Sequence, residues 1–182
     1  RISHLYKNWI WRSAIKSAAV AIIILAVACG KLGSRQGGVI LISIDGFRWD
    51  YLTLAHTPAL DEIAANGVQA RALQPVFPTS SFPNHYTIVT GLYPESNGIV
   101  GNRMYDPVLD RYFSPDDSAE VGRSYWWDGE PLWVTAIKQG RRAATMFWPG
   151  SEAPIRNIRP TQYRIYDASL SSTQRAQQVL TW

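Results

Sequence analysis

The run Gly38-Val-Ile-Leu-Ile-Ser-Ile44 is short, almost wholly apolar and β-branched, and it stops at Asp45-Gly46. A strand with one wet face alternates polar and apolar residues. A continuous apolar run reads instead as a strand buried on both faces, and so as part of a parallel sheet covered by helices. The chain beyond it keeps that logic. Thr57 and Pro58 open a helix with Leu60, Ile63 and Ala64 on one face and Gly67 at its end. Residues 68–76 form a second predicted strand, and residues 142–148 a third, ending at Pro149-Gly150. Pro131 and Gly140 bracket another helix, and Ser171 with Gln174 three places on forms the capping box of a last one. Residues 104–117 alternate large side chains around a turn at 107–110 and read as a hairpin flap. The succession predicts an α/β fold with a mainly parallel sheet flanked by helices.

Charge divides the chain. Of 182 residues, 46% are hydrophobic and 18% charged, the balance of a globular domain, with a formal charge of +4. Residues 1–37 hold six of the 18 basic residues and no acid, so 38–182 carries 12 basic against 14 acidic residues, a net of −2. The alkaline balance therefore belongs to the leader, and no nucleic-acid footprint is expected on the folded part. The leader itself reads as an export signal. Arg12 and Lys16 precede the apolar run 18–28, which is too short for a typical spanning helix, and Ala26-Val-Ala28 fits a small-x-small cleavage site. Cys29, the only cysteine, follows at once, as in bacterial lipoprotein signals. Lipidation of Cys29, simple cleavage and an uncleaved anchor all remain open, with a periplasmic or membrane-anchored protein as the outcome. The expected layout is a signal or anchor at 1–28, a tether at 29–38 and a catalytic portion at 39–182. A start at Arg1 and an uncapped helix end at Trp182 suggest a portion of a longer chain, with the fold incomplete at the C-terminus.

The stretch with the most chemistry is Pro75-Val-Phe-Pro-Thr-Ser-Ser-Phe-Pro-Asn-His-Tyr-Thr-Ile-Val-Thr-Gly91. Three hydroxyls end a loop, Phe82-Pro-Asn84 opens a helix, and Gly91 closes it. A hydroxyl is thereby held at a helix N-terminus, where backbone N–H groups and the helix dipole favour an anion such as phosphate. A plain cap is the alternative for such a residue, as a turn residue is for Asp45.

Several further segments complete a pattern: Ile44-Asp-Gly-Phe-Arg48, Phe77 through Ser96, Gly98-Ile-Val-Gly-Asn102, Met104-Tyr-Asp-Pro107, Gly129-Glu-Pro-Leu-Trp133 and Phe147-Trp-Pro-Gly-Ser-Glu152. In order and spacing, from Val39 to the end, they closely resemble the nucleotide pyrophosphatase/phosphodiesterase family of the alkaline phosphatase superfamily. The resemblance implies hydrolysis of phosphodiester or pyrophosphate bonds at a two-zinc site, through a covalent phospho-enzyme. By motif position Asp45 matches a zinc ligand and Ser81 the nucleophile, itself bound to zinc. Asn102 matches the amide that steadies a phosphate oxygen, Phe82 an aromatic that packs on the nucleoside, and Tyr166 the aromatic on its other side. A zinc-bound hydroxyl loses its proton without a neighbouring base, and two metals about 4 Å apart clamp both ends of an in-line displacement. The Asn102 amide and the helix N–H groups after Ser81 are the expected donors for the developing charge.

Two departures stand out. Most members carry Thr where Ser81 stands, and Thr79 is the rival nucleophile, two residues early for the match. The family's other zinc ligands, an Asp with a nearby His, an Asp-His pair and a later His, lie beyond Trp182. Of the three histidines, His4 is in the leader, His56 is expected at the surface and His85 in a structural hydrogen bond. Trp126, Trp127 and Trp133 are expected in the core, with base stacking open chiefly to Trp148. Asp106, Asp128 and Glu152 are expected to be solvated or capping. A small phosphodiester or nucleotide is the expected substrate, with nucleotide against lipid left open. The fragment alone is expected to be inactive. The rival is a non-catalytic remnant acting as a binding or structural piece.

Overall fold

The computed structural model describes residues 37–182. The expected signal or anchor segment at 1–28, Cys29 and His4 lie outside the described residues. No helix among those described is long and apolar enough to cross a membrane. Residues 45–182 form one compact unit.

Its elements are mostly short. Helices α1 (Tyr51–Leu54) and α2 (Pro58–Asn66) come first, followed by α3 (Ser81–Thr90) and α4 (Pro94–Asn97). A hairpin of β1 (Met104–Asp106) and β2 (Arg111–Phe113) leads to α5 (Ser118–Val121), a 3-10 turn at Ser124–Trp126 and α6 (Leu132–Lys138). Strands β3 (Ala144–Met146) and β4 (Gln162–Arg164) precede α7 (Ser172–Leu180).

The hairpin is present as expected. Met104 pairs with Phe113 and Asp106 with Arg111, and the Asp106 carboxylate accepts from the N–H groups of Val108 and Leu109 to close the turn. The Ser171–Gln174 capping box is formed at α7. The sheet departs from expectation. Residues 37–44 and 68–76 form no strand ladder, and Val39 and Val68 are 92% and 100% exposed. A parallel strand has no hairpin partner and must find its neighbours through crossovers. Among the described residues, the sheets are β1–β2 and a parallel pair, β3–β4, with Thr145 opposite Tyr163. Strand β4 falls in a stretch whose sequence shows no strand pattern; β3 recruits it. Helix α2 likewise has no buried residue, and its expected apolar face leaves Ile63 exposed.

The core is aromatic. Tyr86 and Val89 from α3 meet Phe113 from β2, Trp126 and Trp127 after α5, Trp133 and Val134 from α6, and Ile155. The rings meet edge to face, Tyr86 with Trp127 at 4.9 Å and Phe113 with Trp126 at 5.5 Å, the geometry their quadrupoles favour. Beside this core Glu120 is buried. Its carboxylate accepts from Tyr125 Oη (2.6 Å) and Trp126 Nε1 (3.0 Å) and pairs with Arg111 (3.0 Å), tying α5 to the hairpin.

Those bonds, that from Tyr125 foremost, hold the Glu120 carboxyl below its usual range. A folded pKa below the unfolded one adds stability that is present above the unfolded pKa and lost as pH falls through the folded one. Glu120→Gln is therefore expected to lower stability by about 1–3 kcal/mol near neutral pH. The difference from wild type should shrink below about pH 4, as read by urea unfolding across the pH range.

Candidate active site

Helix α3 begins one residue earlier than the Phe82-Pro-Asn84 signal suggests: Ser80 is the N-cap and Ser81 the first helical residue, with Pro83 in the first turn. At its far end Gly91 takes a left-handed φ of 68° and its N–H closes on the Thr87 carbonyl. The buried face, Pro83, Tyr86 and Val89, fixes the helix in the aromatic core. Ser81 is turned away from that face. Its Oγ donates to Asp45 Oδ2 at 2.6 Å, bridging 36 residues of chain. Asp45 takes this bond from Ser81 and not from Thr79, which stands exposed in the loop.

Asn102 joins the same corner. Its Oδ1 accepts from the backbone N–H of Phe82 at 2.9 Å, so the carbonyl end of the amide is committed and the Nδ2 end is the one that can meet an anion. The helix N–H groups expected as donors after Ser81 are engaged within the protein here. Phe82 N–H goes to Asn102, Pro83 has none, and Asn84 N–H goes to the Ser80 carbonyl.

Four residues whose roles the sequence reasoning missed hold this corner. Asn84 stitches the preceding loop to the helix: its Oδ1 accepts from Val76 N–H (2.8 Å), and its Nδ2 donates to Pro78 O (3.0 Å) and Ser80 O (2.9 Å). Asn97 is fully buried and joins Thr87, the Leu92 carbonyl and the Ile99 N–H, which sets the loop leading to Asn102. A Cβ at Gly98 (φ 84°) in that loop would stand 2.8 Å from the Trp126 carbonyl oxygen, so the close approach requires glycine. Arg103 then anchors the hairpin to Ser114 and Asp116. The only sequence signals were an Asn in a first helical turn and an Asn-Gly pair, both common in turns with no site nearby.

His85 is structural here, as expected: its Nδ1 lies 2.7 Å from the Ser81 carbonyl and must carry the proton to bond it. Trp148 donates from Nε1 to the His85 carbonyl (3.0 Å) and meets the His85 ring edge-on, so it braces α3 instead of standing free for a base. Asp106 and Glu152 are capping residues, the latter accepting from Tyr166 N–H, while Asp128 contributes its carbonyl to Tyr86 Oη. Phe82 is half buried against Phe113 and Trp127. Tyr166 packs edge-on against Phe147, 5.1 Å between ring centroids, and is 60% exposed. Asp45 and Ser81 are joined directly, as are Phe82 and Asn102, at the first turn of α3. Among the described residues no three His, Cys, Asp or Glu side chains converge.

A family model for type I phosphodiesterase / nucleotide pyrophosphatase matches residues 39–182, which contain the whole of this corner. The chain belongs to that family. Ectonucleotide pyrophosphatase/phosphodiesterase family member 3 from Bos taurus is 47% identical over 146 residues, 79% of this chain and 17% of the relative. Venom phosphodiesterase from Naja atra is 45% identical over 152 residues, 82% and 18%. Bis(5'-adenosyl)-triphosphatase enpp4 from Xenopus laevis is 46% identical over 145 residues, 79% and 31%. The chain thus spans from about a sixth to a third of the length of these phosphodiesterase relatives. Among solved structures, murine ectonucleotide pyrophosphatase / phosphodiesterase 5 superposes with a TM-score of 0.75 at 39% identity, covering 80% of this chain and 39% of that one. An inactive threonine-to-alanine variant of the same murine protein, in complex with AMP, superposes at 0.72 with 40% identity, covering 77% and 37%. The fold of this phosphodiesterase-family chain is theirs.

Asn84→Asp keeps the shape and the acceptor but turns a carboxylate oxygen toward the Pro78 and Ser80 carbonyls. It is expected to destabilise the protein by about 1–3 kcal/mol or more, as a lower urea midpoint will show.

Proposed function

We propose that this chain carries the nucleophile end of an exported phosphodiesterase that hydrolyses phosphodiester or pyrophosphate bonds of nucleotide-type substrates. The observation that supports it above all is the 2.6 Å contact between Ser81 Oγ and Asp45 Oδ2 at the first residue of a helix. The AMP complex of the murine neighbour and the adenosyl substrate in the frog relative's name point to the same substrate class.

In this reading Ser81 gives up its hydroxyl proton and attacks phosphorus, the leaving alcohol or phosphate departs on the opposite side with a proton, and water later cleaves the covalent serine phosphodiester, which still carries the substrate's other ester group. Asn102 Nδ2 holds a non-bridging oxygen, and its geometry is set before substrate arrives because Phe82 N–H locks the other end of the amide. The positive end of α3 adds to the field there. Phe82 offers a ring edge beside the nucleophile for the nucleoside, with Tyr166 as the partner aromatic. Asp45 and Ser81 suit one shared zinc, a carboxylate and a hydroxyl within touching distance, and they are two of the roughly three to four protein donors such a site needs. Zinc, when bound, would lower the hydroxyl pKa and neutralise developing charge. Among the described residues no three such donors converge, too few for two zinc ions, so residues 1–182 alone are expected to show no turnover. We further propose that residues 38–44 and 68–76 join a mainly parallel sheet in the full-length protein. The leader would carry the protein across a membrane, with periplasmic release or anchoring through Cys29.

Ser81→Ala in the full-length protein is expected to abolish turnover of a nucleoside monophosphate p-nitrophenyl ester and the trapping of its nucleotidyl group on the protein; a persisting covalent intermediate would move the nucleophile to Thr79. Asn102→Ala should leave a phospho-enzyme detectable but cost ~3 kcal/mol in the transition state, a fall of roughly a hundredfold or more in kcat.

A further inference from the structure

Arg175 lies on α7, and its guanidinium covers two aromatic rings. Its carbon centre lies 5.0 Å from the Phe147 centroid and 5.9 Å from that of Tyr166, while the rings themselves meet at 64° and 5.1 Å. The guanidinium is held in place, since Nε donates to the Leu170 carbonyl at 2.9 Å. Phe147 directly follows β3, and Tyr166 lies two residues past β4, so both stand at the C-terminal end of the parallel pair. That end is where open α/β sheets bind ligands. Phe147 also adopts a φ of +60°, a conformation that costs a bulky residue energy and that persists only where surroundings enforce it. Tyr166 is fixed from a second side by its N–H bond to Glu152 Oε1 at 2.9 Å, yet the residue remains 60% exposed. An exposed ring clamped through its backbone and its edge is preorganised for a flat partner.

We propose that Arg175 is a positioning residue for nucleoside recognition: it pins Phe147 and Tyr166 so that the exposed Tyr166 ring faces a base. The assignment rests on the reading of Tyr166 as substrate-facing. Arg suits the task because a planar guanidinium lies flat on rings, whereas an ammonium is a compact hydrated point charge.

The test compares Arg175→Ala, Arg175→Lys and Tyr166→Ala in the full-length protein. Substrates are a nucleoside monophosphate p-nitrophenyl ester and methyl p-nitrophenyl phosphate, which carries no base; AMP affinity is measured by calorimetry. Arg175→Ala is expected to raise the ratio of the two KM values and weaken AMP binding, each roughly fivefold, the size expected from losing two partly exposed cation–π contacts. Arg175→Lys should recover only part of that loss. If the alanine variant does not fold, Arg175→Met, which keeps the aliphatic stem, carries the same expectation. Equal changes for both substrates, or none, overturn the assignment. If Tyr166→Ala raises the nucleotide KM and the Arg175 variants do not, the positioning role alone fails. If Tyr166→Ala has no effect, the substrate-facing reading fails and the assignment falls with it.

Discussion

Helix α3 is held by its middle. Tyr86 is fully buried with its ring against Trp127 and its hydroxyl on the Asp128 carbonyl, and burial raises the phenol pKa, so it stays a neutral donor at physiological pH. Because the aromatic core grips this turn, the first turn of the helix points in one direction relative to the hairpin and to the loop carrying Asn102. Every contact of the candidate site depends on that grip. A hydroxyl on an unanchored ten-residue helix would sample many positions, since an isolated helix of that length is marginal in water.

The same first turn shows how stability and chemistry share atoms. A helix start must satisfy its free N–H groups. Here Asn102 satisfies one of them from a distance, and in doing so it acquires a fixed orientation. Capping and preorganisation are a single hydrogen bond. Pro83 fits the same scheme: it removes an amide that would otherwise need a partner in a crowded corner, at a position where a helix tolerates its absence. Asn84 completes the arrangement from below by holding the loop that delivers Ser81, and Trp148 and His85 brace the flank.

Much of this was legible in the chain. The hydroxyl cluster, the proline in the first turn and the closing Gly91 named the helix, and the hairpin and the capping box followed from local turn chemistry. These features depend on residues within a few positions of each other, which is why a linear reading finds them. The predicted strands at 38–44 and 68–76 form no ladders for the opposite reason: their apolar patterning specifies burial between neighbours, and a strand exists only when those neighbours are paired with it. Asn84, Asn97 and Glu120 went unseen because a buried polar residue has no pattern of its own; only its partners mark it.

By itself the sequence determined that a hydroxyl cluster would lead into a helix closed at Gly91, because helix starts and turn residues are governed by local sterics and hydrogen bonding. The tertiary structure alone decided that Asp45 would reach Ser81 across 36 residues, that Asn102 would take the Phe82 N–H, and that Tyr166 would be pinned beside Phe147 under Arg175. Those are contacts between distant segments, set by how an aromatic core positions the elements around it. No local rule contains that information.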